Sequence, residues 1–432
     1  MPRVLLVAAT TGYQTRSFTA AAKRLGVEVV LATDRCHVLE DPWWDSAIPV
    51  RFEEPEIAAE LLVESAVVSK SVVVGKSAVV AKSGIDGIIA VADRPTLVAA
   101  LTAQKLGLPF HSPNSVAACR DKHKMRAIFG QAGLLAPENF CVALESDPRE
   151  IAGNTHFPCV LKPIALSAGR GVIRANNADE FVAAFERIRR ILEQPEIRQF
   201  HEAWNEAIQI EQYIEGREFA LEGLMTHGEL TVLAIFDKPD PLEGPFFEET
   251  IYVTPSRESV EIQAAIVDTT REAVGALGLF HGPVHAEMRV NANGVYMLEI
   301  AARPIGGLCA RALRFDGGLT LEEVVVLHAI GKTPDLLTLS PRALGVMMIP
   351  VPRAGVYESV TGIEDALRVP GVDDLIITAK TGQKLLPLPE GASYTGFIFA
   401  GGNDAASVES SLRKAHSLLK FEIFASLDVI PV

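Results

Sequence analysis

Two glutamates and an arginine within twenty residues are the side chains best placed to do chemistry. Glu287 lies in Val-His-Ala-Glu-Met-Arg-Val (284–290), and Glu299 and Arg303 lie in Val-Tyr-Met-Leu-Glu-Ile-Ala-Ala-Arg (295–303). Read as strands with a period of two, the first half shows His285, Glu287 and Arg289 on one face, with Ala286, Met288 and Val290 behind. The second half shows Glu299 and then Arg303 on its polar face, with Leu298 and Ile300 behind. Asn291-Ala292-Asn293-Gly294 between them is a hairpin turn signal. Two carboxylates that stay charged side by side need a cation between them, and hard oxygen ligands suit Mg²⁺ or Mn²⁺. A solvated sheet face with cross-strand ion pairs would use the same residues. On this stretch alone both readings stand.

A chain of 432 residues is too long for a single core, so about two to four domains are expected. With 48% hydrophobic residues it can fill them. The formal net charge of −14 argues against a nucleic-acid or acidic-membrane surface as the main partner, while leaving room for a local basic pocket. Cys36, Cys119, Cys141, Cys159 and Cys309 show no C-x-x-C spacing, so neither a zinc site nor a disulfide framework is indicated. The apolar run after Met1-Pro2-Arg3 is too brief for a signal segment, and no apolar run reaches membrane-spanning length. A cytoplasmic protein is the expectation.

The elements that must carry the hairpin begin with Val4–Ala8, a continuous apolar run typical of a strand buried on both faces. A loop (Thr10–Thr15), a helix (Ser17–Leu25) and a second strand (Val27–Leu31) complete a β-loop-α-β unit, which predicts a doubly wound parallel sheet. The loop holds one glycine, short of the G-x-G-x-x-G fingerprint, so NAD binding is not expected. Ile85–Val91 reads as a further strand and Arg94–Leu106 as the helix after it. Between the second strand and Ile85 a six-residue motif repeats in tandem over 66–83. Its Gly75-Lys76-Ser77 resembles the end of a Walker A motif, but Lys70 stands where the first glycine belongs, so a surface helix or loop is the better reading.

The middle of the chain carries features suited to an anion. A basic cluster, Arg120–Arg126, opens a helix running to Gly130. Lys162 interrupts the apolar strand Phe157–Pro163, and a lysine there must find an anion because burying it unpaired is costly. Ser167-Ala168-Gly169-Arg170-Gly171-Val172 follows; small residues let backbone N–H groups approach phosphate oxygens. A strand and not a helix comes next, so this is no P-loop, and a tight hairpin would use the same residues. After a helix over Asp179–Leu192, residues 208–219 read as strand, glycine turn and strand.

In this order, Lys122, Leu161-Lys162-Pro163, the 167–172 loop, Glu211 to Glu218, and the hairpin with Glu287, Glu299 and Arg303 resemble the ATP-grasp superfamily over roughly residues 110–315. The resemblance implies two α+β lobes closing over ATP. It gives Lys122 and Lys162 the α- and β-phosphates, and makes Ser167, Ala168, Gly169 and Gly171 part of the loop over the triphosphate. Glu211, Tyr213 and Ile214 would line the adenine pocket, and Glu218 would take the ribose hydroxyls. Glu287 and Glu299 would hold Mg²⁺ or Mn²⁺, and Arg303 would face the transferred phosphoryl group. The family often reads Glu-x-Asn at the second carboxylate. This chain has Ala301 in place of the Asn, so water or a neighbour must fill the place.

The implied chemistry is carboxylate activation by ATP followed by attack of an amine on the acylphosphate, with no covalent nucleophile on the protein. Residues 236–255 resemble the matching part of L-amino-acid ligases, where Glu248 and Glu249 would receive an ammonium group; an exposed acidic turn is the competing reading. A capping box, Thr320–Glu323, opens a helix to Ile330. The strands expected at Ala343–Ile349, Gly355–Val360, Leu375–Thr378 and Tyr394–Phe399, with helices at Ile363–Arg368 and Asp404–Leu419, resemble the C-terminal domain of those ligases. The expected division is an N-terminal α/β domain (1–112), an ATP-grasp domain (113–332, its nucleotide lobe 113–215 and metal lobe 216–332) and a C-terminal α+β domain (333–432). The expected partners are a small-molecule carboxylate and amine, without nucleic acid or membrane, and a homodimer is compatible with this reading. Three functions compete: an amino-acid ligase, a purine-pathway ligase of the phosphoribosylglycinamide synthetase or biotin carboxylase kind, and a nucleotide-binding protein without ligase activity.

Overall fold

The computed structural model describes residues 1–9, 14–34, 47–68, 84–164, 166–199, 203–334 and 337–425. Residues 10–13 of the first loop, Cys36 and positions 69–83 of the tandem repeat lie outside that set.

The apolar run near the N-terminus forms the strand Arg3–Ala8, paired in parallel with Glu28–Thr33 on one side and Gly87–Val91 on the other. With Ile48–Pro49 beyond Glu28–Thr33 this makes a four-stranded parallel sheet. Both faces are covered, as the unbroken apolar strands require. Leu5, Val7 and Ile88 pack with Ala58, Leu62 and Val98 of the helices Pro55–Val68 and Pro95–Leu106. Val4, Leu6 and Ile89 pack with Phe18 of the helix Thr15–Arg24 and with Val324 and Val325 of Leu321–Ala329. That last helix follows the carboxylate hairpin in the chain and lies so close that a Cβ on Gly87 would stand 2.2 Å from the Ala329 carbonyl oxygen. Gly87 is the residue that lets them meet.

A four-stranded antiparallel sheet forms the core of the lobe expected to hold the nucleotide, in the order Asn139–Ala143, Ala207–Gln212, Cys159–Pro163, Ile173–Ala175. The helix Ala178–Leu192 buries Phe181, Phe185 and Ile188 against it, and Asn177 caps that helix by accepting the Glu180 N–H.

The largest sheet has eight strands, antiparallel throughout: Gly294–Ala301, Gly282–Asn291, Arg217–Thr226, Glu229–Lys238, Ile251–Thr254, Ala343–Ile349, Gly396–Gly402, Val372–Ile377. Its first five strands belong to the lobe that carries the carboxylate hairpin and its last three to the C-terminal region, joined through the register Ile251↔Met347. A small sheet, Lys384–Leu385, Gly355–Thr361 and Lys420–Phe424, completes the C-terminus. Among the described residues no helix is long and apolar enough to cross a membrane.

Candidate active site

Where the N-terminal sheet, the nucleotide lobe and the large sheet meet, they enclose a cavity of about 330 Å³, within the common small-molecule range of about 300–1,000 Å³. Lys122, Lys162, Ser167, Ala168, Gly169, Glu211, Tyr213, Ile214, Glu218, Glu287, Glu299 and Arg303 all line it. Gly171 does not: its N–H donates to the Pro389 carbonyl at 2.9 Å, and a Cβ there would stand 2.7 Å from Pro163 Cγ. Its N–H is thus engaged within the fold. Ala168 and Gly169 are both left-handed, with φ of 56° and 69°.

The hairpin closes as its turn signal predicts, with Asn291 paired to Gly294. Glu287 and Glu299 are direct cross-strand partners. A bulge precedes that pair: Met288 pairs with Met297, so Leu298 is the extra residue and it lines the cavity. The strict alternation that put Leu298 behind the sheet is corrected by this bulge. With Pro137 and Val160 it gives the cavity an apolar wall beside Gln212, Tyr213 and Ile214.

The two glutamates have different company. Glu299 stands 3.4 Å from the ammonium of Lys122, which also donates to the Leu166 carbonyl at 3.1 Å. Glu287 joins Glu218 and Glu249, the three offering oxygens within 4.8 Å of one another, and Lys238 lies among them at 3.3, 2.9 and 2.6 Å respectively. Burial would draw the Lys238 ammonium down, but these three carboxylates hold it well above its usual value. Burial, with Glu287 nearby, raises the Glu249 carboxyl to about 7. Glu287 moves the other way, because Lys238 and His285 outweigh its burial. Tyr252 donates to Glu249 at 2.9 Å.

His285 sits opposite Ala301 and bridges Glu222 and Glu287 at 3.1 and 3.2 Å. Its own burial opposes protonation, but the two carboxylates raise it to about 9, so it carries a proton at neutral pH. The place of the absent Asn is thus faced by a cationic histidine, while the carboxylate that approaches Glu287 is Glu249.

Other expected contacts are rearranged in the same way. Glu211 is 3% exposed and makes ion pairs with Lys162 and, at 2.9 Å, with Arg126, so it positions the lysine as well as lining the cavity. Burial, with Arg126 and Lys122 nearby, draws Lys162 below its usual value against the pull of Glu211. Glu218 is engaged by Lys238 and by Arg289 Nε at 2.9 Å. Arg303 is gripped through two nitrogens by Asp93 at 2.8 and 3.2 Å, a carboxylate at the end of the strand Gly87–Val91 that sequence reasoning did not single out. Despite burial, Asp93 keeps the guanidinium firmly charged. Lys238 and Tyr252 were likewise passed over. Tyr252 carried a signal, a lone phenol in an apolar strand, whereas Lys238 sits beside Asp237 at a strand end and lacked the one that exposed Lys162.

The sequence matches the ATP-grasp N-terminal domain over residues 19–110, the ATP-grasp domain over 155–312, and L-amino acid ligase C-terminal domain 2 over 347–423. The chain belongs to the ATP-grasp ligase superfamily. Within it, this chain carries the C-terminal domain of the L-amino acid ligases. The whole fold is similar to the crystal structure of L-amino acid ligase from Bacillus licheniformis, 25% identical, with a TM-score of 0.79 over 98% of this chain and 99% of that one. Alanine–anticapsin ligase from Bacillus subtilis is 28% identical over 55% of this chain and 52% of its own length. The uncharacterized protein y4rH of Sinorhizobium fredii is 23% identical over 80% of this chain and 70% of its own. The chain therefore spans only about half the length of the curated ligase.

Proposed function

We propose that the protein joins the carboxylate of one amino acid to the amine of another, using ATP and releasing ADP and phosphate. The observation that carries this is the meeting, in one cavity, of two lysines and an arginine with two cross-strand glutamates. In this reading the carboxylate oxygen attacks the γ-phosphorus, ADP leaves, the amine nitrogen attacks the acyl carbon, and phosphate departs. The work of the chain is positioning and charge stabilisation.

Lys122 and Lys162 take the α- and β-phosphates, and the 167–171 loop lies over the triphosphate. Tyr213 and Ile214 present their backbone to the adenine, with Leu298 and Val160 against its face, and Glu218 takes the ribose. Arg303, aimed by Asp93, faces the transferred phosphoryl group. The carboxylate oxygens of Glu287, Glu218 and Glu249 lie within 4.8 Å of one another, and this oxygen set, with Glu299 across the strand pair, fits Mg²⁺, which when bound would offset the phosphate charge. Glu249, with Tyr252 and Tyr394 at the same end of the cavity, receives the substrate ammonium. An acidic and aromatic end suits an amino acid better than the sugar phosphate of a purine-pathway substrate.

The deciding experiment is a phosphate-release screen with amino acids singly and in pairs. Release that requires a pair supports the ligase, and release with every single acid, or with none beside tight ATP binding, contradicts it. Glu287→Gln or Glu299→Gln abolishes Mg²⁺-dependent turnover with circular dichroism unchanged; turnover at the wild-type rate in either removes that residue from the metal site.

A further inference from the structure

The loop over the triphosphate does not stand by itself. Its small residues, three of them (Ala168, Gly169 and Gly171) in left-handed backbone, offer little side chain to pack, and such segments open easily unless something ties them down. The ties come from the far end of the chain. Gly171 donates its N–H to Pro389 at 2.9 Å, and Gly169 packs so tightly between the Phe247 carbonyl and Leu388 that a Cβ would stand 3.1 Å from the one and 3.3 Å from the other.

The next residue, Glu390, takes both Nε and Nη2 of Arg187 at 2.6 and 2.9 Å. Arg187 belongs to the helix Ala178–Leu192 of the nucleotide lobe, and its guanidinium lies 4.9 Å from the Phe246 ring centroid. The charge of Glu390 also acts on Arg170, inside the loop itself, and Arg190 acts on Glu390. Hydrogen bonding to Arg187 overcomes burial and holds the Glu390 carboxyl below its usual range. One carboxylate of the C-terminal region thus pairs with Arg187 and lies within electrostatic reach of Arg170 and Arg190.

We propose that the turn Leu388-Pro389-Glu390 is part of the nucleotide site, holding the 167–171 loop down over the triphosphate with Glu390 as its positioning residue. This rests on the reading of that loop as the triphosphate cover. The ATP-grasp domain alone lacks this tie. Product release then requires the Arg187–Glu390 pair to part, as lid opening does in many closing enzymes.

The test is stopped-flow release of a fluorescent ADP analogue with Mg²⁺ from the full chain, which needs no amino-acid substrate. Glu390→Gln should speed release and raise the Kd of the analogue by about three- to fivefold, the range of one partly exposed ion pair. Arg187→Gln should match it, and the reversed pair R187E/E390R should restore the slow release. Equal release rates in wild type and Glu390→Gln overturn the proposal, as does faster release that the reversed pair leaves uncorrected. If Glu390→Gln folds poorly, the Arg187→Gln rate decides the same question. A wild-type chain that binds no nucleotide would overturn the proposed function as well, whereas nucleotide binding insensitive to these variants overturns only the role of the turn.

Discussion

Two buried polar regions of this molecule solve the same problem in opposite ways. In the cavity, cations are interleaved with carboxylates: Lys238 among Glu218, Glu249 and Glu287, Lys162 and Arg126 on Glu211, Arg303 on Asp93. The second region draws on residues from 111 to 328, where the buried rings of His111, His281 and His328 gather with His227 at the exposed rim. His281 and His328 stack with ring centroids 4.1 Å apart, His227 and His281 lie 5.1 Å apart, and His328 pairs with Thr226 at 3.0 Å. His111 accepts the Phe280 N–H at Nδ1 and lies 3.2 Å from the Pro283 carbonyl at Nε2. Burial, reinforced by the neighbouring histidines, lowers His111 and His328 to about 4, so these rings are neutral. A buried charge persists where an opposite charge meets it, and a titratable ring without one gives up its proton.

The sharpest way to break this contrast is to remove one side of the paired region. Lys238→Met leaves three carboxylates around an apolar chain and should cost about 3–5 kcal/mol in denaturant unfolding, as other broken buried pairs do; a loss below 1 kcal/mol would mean that the carboxylates do not depend on the lysine. The histidine region should respond to acid instead. A ring lowered to about 4 binds fewer protons folded than unfolded, so its contribution is complete above pH 6.5 and is lost as pH falls toward 4. The loss is on the order of 3 kcal/mol per ring at most. Wild-type stability measured between pH 7 and 4 should therefore fall more steeply than that of H111Q/H328Q, and parallel curves would contradict the assignment. Smallest of all, Thr226→Val removes one partner of His328 at a rim that water reaches and should cost about 1 kcal/mol or less.

Much of the architecture was legible because its strands are apolar runs. Val4–Ala8, Cys159–Pro163 and Ala343–Ile349 sit where their composition places them. The hairpin was readable for a different reason, since its turn residues and the interruption of apolar strands by Glu287 and Glu299 are both local signals. What escaped is long-range. Lys238 ends the strand Glu229–Lys238, and its three partners come from three other segments. Asp93 reaches Arg303 across 210 residues of sequence. The Leu298 bulge shifts the pleat by one residue, which a period of two cannot register. The helix Leu321–Ala329 announced itself by its capping box, yet nothing local says that it covers the N-terminal sheet.

The eight-stranded sheet has one further consequence. A boundary near residue 332 looks natural in the sequence, but cutting there would strip Ala343–Ile349 from the strand Ile251–Thr254 and leave four residues of unpaired backbone on an apolar edge. Such an edge is a template for another chain. Trimming this chain to its ATP-grasp portion should therefore yield a self-associating fragment, one whose Tyr252 lies on the exposed seam.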